Sequence, residues 1–193
     1  MNMPPSSQRS AAPTHPADEH PALFRARIDR VISGDARALG ELFIEHGGLV
    51  YRTARRLSGN SADAEDVTQE VFVRLPSALR GFTGGAATFA GWIRRVAVRQ
   101  ALMAMRTTRR RREVSVDGVA ALFARADDAL ARLSIDVALT RLSPEHRTVF
   151  LLKEVEGLDH AEIAELLGIS VANSEVRLHR ARHQLRDLLR GSR

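Results

Sequence analysis

The chain reads as an all-α protein made of two small helical domains joined by a flexible linker, on three observations. After Pro21 the apolar residues recur at helical spacing, and no segment alternates convincingly as a strand. Helix start and stop signals punctuate the chain at short intervals: Asn60, Ser143, Asp159 and Ser170 as caps, and Gly34, Gly157 and Gly168 as terminators. The periodicity lapses over 113–128, which splits 193 residues into two stretches of small-domain size.

Composition narrows the function before any motif does. The net charge is +6, and Lys153 is the sole lysine among 29 basic residues. The basic residues gather in two places and the isoelectric point is near 11.1, which points to a polyanionic partner. With no cysteine, disulfides, thiolate chemistry and cysteine-ligated zinc are excluded. No apolar run approaches the ~20 residues of a membrane span. The opening "MNMPPSSQRSAAPTHPADEHP" holds five of the seven prolines and no apolar core of a signal peptide. Residues 1–20 are therefore expected to be a disordered tail, and the protein to stay in the cytoplasm without membrane insertion.

The first domain is expected over 21–112. Residues 22–33 form a short helix ending at Ser33-Gly34. From Asp35, Leu39, Leu42, Phe43, Val50, Ala54 and Leu57 make one helical stripe, with His46 on it as a structural histidine and Gly47-Gly48 as a kink point. A third helix starts at Asn60-Ser61 and buries Ala64, Val67, Val71, Phe72 and Leu75. Pro76 lacks the N–H a helix needs, so a kink or stop is expected there.

After the loop "RGFTGGA" comes "GWIRRVAVRQALMAMRTTRRRR", Gly91 to Arg112, with eight arginines and no acid. Its expected inner face is Phe89, Trp92, Ile93, Val96 and Met103, while Arg95, Arg99 and Arg106 share another face. A solvated helix normally mixes both signs of charge, so this one is built to meet an anion. Trp92 could stack on an unpaired base, but its place on the apolar face favours core packing.

The second domain is expected over 129–193, beginning with a helix over 129–142. Ser143 then caps a helix with Pro144 in its first turn and Gly157 as terminator. In "LDHAEIAELLGIS", Asp159 and Glu162 make a capping box and Gly168 ends the helix. Ser170 caps the last helix. A short capped helix, a tight turn and a longer basic helix make a helix-turn-helix. On the last helix Val171, Ser174, Leu178, Ala181, Leu185 and Leu188 form the inner face. Ala172, Glu175, Val176, His179, Arg180 and His183 look outward, with Arg177 and Arg182 flanking them towards phosphates. His179 and His183 stand one turn apart, but they have no third ligand and lie among arginines, so neither a metal nor a catalytic group is assigned.

Three segments in order, "DAEDVTQEVFVRL", "GWIRRVAVRQALMAMRTTRRRR" and "LSPEHRTVFLLKEVEGLDHAEIAELLGISVANSEVRLHRARHQLR", resemble the extracytoplasmic-function (ECF) sigma factors, small members of the bacterial sigma-70 family. The resemblance runs from about Pro21 to Arg190, and the linker is too short for the middle domain of larger sigma factors. It implies a non-enzymatic specificity subunit without cofactors. Region two would bind the clamp of core RNA polymerase through Asp63, Asp66, Gln69 and Glu70. It would hold the opened −10 element through Arg80, Phe82, Thr83, Arg95, Arg99 and Arg106. Region four would hold the polymerase flap and read the −35 element through Ala172, Glu175, Val176, Arg177, His179 and Arg180. Partners are then core polymerase, promoter DNA and, as a candidate, an anti-sigma factor. Relatives often carry a basic residue where this chain has Glu175, and glutamate can accept a hydrogen bond from cytosine N4 in the major groove. The alternative reading is a free-standing helix-turn-helix regulator, which would bind duplex operator unaided.

Overall fold

The computed structural model describes residues 20–114 and 135–190, and among these there is no strand. Eight helices follow one another within the described residues: α1 (Pro21–Ile32), α2 (Ala36–Ser58), α3 (Ser61–Ala78), α4 (Ala86–Val114), α5 (Ile135–Thr140), α6 (Pro144–Phe150), α7 (His160–Leu167) and α8 (Val171–Arg190). Close helix packing groups α1–α4 into one bundle and α5–α8 into another.

The caps follow the chemistry of the sequence. Asp35 accepts the N–H groups of Arg37 and Ala38 at the start of α2, and these bonds, with the Arg30 guanidinium, hold its carboxyl below the usual carboxylate range. Asn60 accepts Asp63 N–H at the start of α3. Ser143 caps α6 with Pro144 in its first turn, and Asp159 and Glu162 close a full capping box on α7.

Several expectations need correction. Pro76 does not end α3. The helix runs to Ala78, because Leu75 and Leu79 on either side are fully buried and Leu79 N–H still reaches Leu75 C=O. Gly47-Gly48 does not divide α2, which is continuous. The arginine helix extends to Val114, two residues into the expected linker, and the rest of 113–128 lies outside the described residues, as do 1–19, 129–134 and 191–193. The segment after Ser143 is not one regular helix either. α6 gives way at Leu151–Val155 to a wider π-type turn, whose Leu151 and Leu152 are both buried.

In the first bundle Phe24, Leu42, Leu75, Leu79, Phe89 and Ile93 are among the fully buried side chains. An aromatic cluster closes its upper end. Phe89 meets Phe24 and Phe82 edge-on at 5.4 Å each and stacks on Trp92 at 5.5 Å, while Phe82 and Trp92 lie 4.9 Å apart. Trp92 is thus a packing residue. The predicted inner face of α4 holds at Phe89 and Ile93, which are fully buried, and at Trp92 and Val96, which pack against the core, but Met103 is 52% exposed, and Ala97, Val98, Ala101 and Leu102 are buried in addition. Small residues let the long helix lie close to α2 and α3, and that decides which face is covered. Phe43 of the predicted stripe is likewise half exposed, at 48%.

His46 is 6% exposed, with Nε2 3.2 Å from Glu45 and its ring edge-on to Phe89 at 4.9 Å. Burial lowers its pKa from 6.5; the Glu45 charge opposes this and Arg27 adds to it. The folded chain therefore resists protonation of this imidazole more than the unfolded chain does. Stability from this group is present above pH 6.5 and is lost as pH falls below it. Between pH 7.5 and 5.5 the melting point of the native chain is expected to fall further than that of His46→Gln, by about 2–4 °C for each kcal/mol of linkage. Equal falls in a thermal melt would show that His46 is not responsible.

Candidate nucleic-acid and polymerase-binding surfaces

α7 and α8 build a helix-turn-helix. Gly168 takes φ 67° with its N–H bonded to Ala164 C=O, a left-handed turn that a side-chain-bearing residue rarely adopts. Ser170 Oγ then accepts Asn173 N–H and starts α8. Leu178, Ala181 and Leu185 are buried against α6 and α7. Ser174, an odd residue for an inner face, is fully buried, and its hydroxyl lies 2.8 Å from His160 Nδ1 on α7. This bond satisfies the hydroxyl and ties the two helices of the motif together. Val171, expected inside, is 44% exposed at the first turn, beyond the reach of α7.

The outward face of α8 is as the spacing predicted. Ala172, Glu175, Val176, His179, Arg180 and His183 are all exposed on it. The flanking arginines are engaged elsewhere: Arg177 pairs with Glu145 of α6 at 3.1 Å, and Arg182 pairs with Glu154. His183 pairs with Asp187 at 2.9 Å. Among the described residues no group of three or more His, Asp or Glu is placed to hold a metal ion.

On the first bundle, Asp63, Asp66 and Gln69 stand exposed along α3, and Glu70 is half-buried and paired with Arg74. Val73, farther along α3, is 74% exposed, and Ile44 of α2 is 86% exposed, two bare apolar groups on this bundle.

The promoter-strand candidates divide. Arg80 and Thr83 are exposed in the loop before α4, and Arg95, Arg99 and Arg106 are exposed along it. Phe82 is not: it is 5% exposed within the aromatic cluster, so its ring does not face solvent. Gly84 keeps this loop tight, since a Cβ there would lie 2.7 Å from the Phe82 ring.

Sequence reasoning missed a set of groups where the bundles meet. Glu156 follows the π-type turn with its side chain only 1% exposed. It accepts a hydrogen bond from Thr53 Oγ1 at 3.2 Å and pairs with Arg56 at 3.3 Å and Arg94 Nε at 3.7 Å. Arg95 pairs with Glu162 at 3.1 Å and Arg99 with Glu165 at 3.9 Å, while Arg106 donates to Leu166 C=O. Arg147 donates to Arg56 C=O at 3.2 Å. One signal was present: Glu156 lies four residues after buried Leu152 and seven after buried Val149, an acid on an apolar stripe.

Comparison with known proteins decides the family. The model of Sigma-70 region 2 matches residues 42–111, and that of Sigma-70 region 4 matches residues 132–185. The ECF RNA polymerase sigma factor SigL of Mycobacterium tuberculosis is 34% identical over 166 residues, covering 83% of this chain and 94% of SigL. This chain belongs to the ECF sigma factors of the sigma-70 family. The sigma factor CarQ of Myxococcus xanthus is 32% identical, over 84% of this chain and 95% of CarQ. SigE of Mycolicibacterium smegmatis is 36% identical over 81% of this chain, a match that spans 65% of SigE. Among solved structures, CnrH in complex with the cytosolic domain of CnrY superposes with a TM-score of 0.53 at 29% identity, covering 87% of this chain and 97% of CnrH. The sigma factor RpoE of Bartonella quintana shares the fold, with a TM-score of 0.56 at 21% identity over 80% of this chain and 98% of RpoE. Region 2 and region 4 stand on one chain, in the order of a sigma factor. The free-standing regulator is thereby set aside.

Proposed function

We propose that this sigma factor acts as a non-enzymatic subunit that recruits core RNA polymerase to a promoter in the cytoplasm, reads the duplex through α8 and holds the opened strand along α4. The observation that carries the reading is the pairing, on one chain, of an exposed recognition face with a long helix whose described charged side chains, Arg94, Arg95, Arg99 and Arg106, are all cations. Asp63, Asp66, Gln69 and Glu70 meet the polymerase clamp, and the second bundle meets the flap. Arg80, Thr83, Arg95, Arg99 and Arg106 meet the −10 strand. Ala172, Glu175, Val176, His179 and Arg180 meet the −35 bases, with Arg177 at their edge. No helix among the described residues is long and apolar enough to cross a membrane. The CnrH–CnrY complex and the RpoE structure with its anti-sigma factor NepR support an anti-sigma protein as a further partner.

Promoter selection tests this reading. A randomised duplex library, transcribed by core polymerase with and without the protein, should yield a two-part promoter only when the protein is present. Glu175 faces outward and carries no ion pair among the described residues. Its carboxylate is repelled by phosphate, so it is either tolerated with its side chain turned into solvent or reads a cytosine, a contact worth about 1–3 kcal/mol of discrimination. Glu175→Ala should relax one cytosine position of the −35 element and Glu175→Lys should shift it towards guanine. Selection of a single duplex operator without polymerase would overturn the function. Identical −35 sequences from all three proteins would overturn the role of Glu175.

A further inference from the structure

Ser174 is the one buried residue between Val171 and Arg177, the stretch of α8 that carries Ala172, Glu175 and Val176. The apolar anchors of the helix, Leu178, Ala181 and Leu185, all lie farther along, while Val171 and Val176 are exposed. Hydrophobic packing therefore grips the middle of α8 and leaves its N-terminal turns without an apolar hold. What holds them is polar. Ser174 Oγ lies 2.8 Å from Nδ1 of His160, the first residue of α7. On the other flank Arg177 pairs with Glu145 of α6, but that glutamate is exposed, so the pair is screened by water and fixes position only weakly.

Either ring tautomer can make the bond, because a hydroxyl both donates and accepts. Apolar burial has no preferred direction, whereas a hydrogen bond weakens steeply as it leaves its line. Successive side chains stand about 100° apart around a helix, so a small rotation of α8 re-aims the residues on either side of Ser174. In a helix-turn-helix the first helix crosses the DNA backbone, and the N-terminal residues of the second meet base edges. We propose that His160 is a positioning residue for −35 recognition. By binding Ser174 from behind the reading face, it fixes the rotation of the N-terminal turns of α8, and hence which bases Ala172, Glu175 and Val176 address. This role rests on the reading of the −35 duplex by α8; the hold on α8 needs no DNA.

Substitutions on both helices test this. Ser174→Ala removes the hydroxyl and leaves a small, helix-favouring side chain in the buried site. His160→Leu removes the ring nitrogen, and His160→Asn returns a side-chain amide close to where Nδ1 stood. Each protein is assembled into holoenzyme with core polymerase and assayed on the −35 sequence that the native protein selects and on its single-base variants. Ser174→Ala and His160→Leu should each lower discrimination about fivefold, the net effect of one hydrogen bond. The double variant should lose no more than either alone, and His160→Asn should restore native discrimination. Binding to random duplex should stay unchanged throughout, because phosphate contacts dominate it. Full discrimination in Ser174→Ala would overturn the role of the bond, and so would additive losses in the double variant. A second arm uses the free full-length protein. Amide hydrogen exchange over residues 174–177 should quicken about fivefold in Ser174→Ala and His160→Leu and return to native in His160→Asn. Unchanged exchange would show that His160 does not hold α8. If exchange responds as expected but the native holoenzyme selects no −35 sequence, the reading of duplex by α8 is what falls.

Discussion

Replacing Arg95, Arg99 and Arg106 together by alanine is expected to lower open-complex formation by about a hundredfold while leaving core polymerase binding within a few-fold of normal. Hydrogen bonds from a charged donor are each worth about 1.5–3 kcal/mol at most sites. Exposed ones sit at or below the bottom of that range, so removing three of them weakens the opened complex by roughly 3 kcal/mol. Salt provides an independent reading: each phosphate on a single strand that no longer meets an arginine should flatten the log–log salt dependence by about 0.7. Permanganate footprinting of the melted region across a salt series measures both. Normal opening at moderate salt would remove α4 from the promoter interface.

Reversing the acidic side of α3 should have an effect of similar size at an earlier step. Asp66→Arg with Glu70→Arg is expected to abolish holoenzyme assembly, because like charges juxtaposed across an interface cost several kcal/mol and slow encounter as well. The fold should survive. Asp66 is exposed and makes no ion pair among the described residues, and replacing the Glu70–Arg74 pair by two arginines at the same spacing costs only a few tenths of a kcal/mol. Co-elution with core polymerase on a sizing column, alongside a thermal melt of the free protein, separates the two effects. Unchanged co-elution would place the clamp contact elsewhere, and the exposed pair Ile44 and Val73 would become the next surface to alter.

Local rules made much of this protein legible from sequence. Caps at Asn60, Ser143, Asp159 and Ser170 are short-range chemistry, in which a side chain satisfies an N–H three residues away, and all four form. The exposed face of α8 and the buried stripe of α3 follow from helical spacing once the neighbouring helix is known to lie on one side. The family, too, was carried by three motifs in order along the chain.

Tertiary packing decided the rest, for reasons spacing cannot encode. Pro76 continues a helix because Leu75 and Leu79 are both locked into the core, and that packing outweighs one missing backbone bond. α4 buries Ala97 and Ala101 and exposes Met103, since small residues let a long helix approach closely and hydrophobicity alone does not rank that. Phe82, which the resemblance assigned to the −10 strand, is drawn inward by the rings of Phe24, Phe89 and Trp92. A helix with cations of one sign announces an anion but not which one. In the folded chain that anion is carboxylate, supplied by Glu156, Glu162 and Glu165 from more than fifty residues away along the backbone, because charges brought within a few ångströms by folding interact regardless of their separation in sequence.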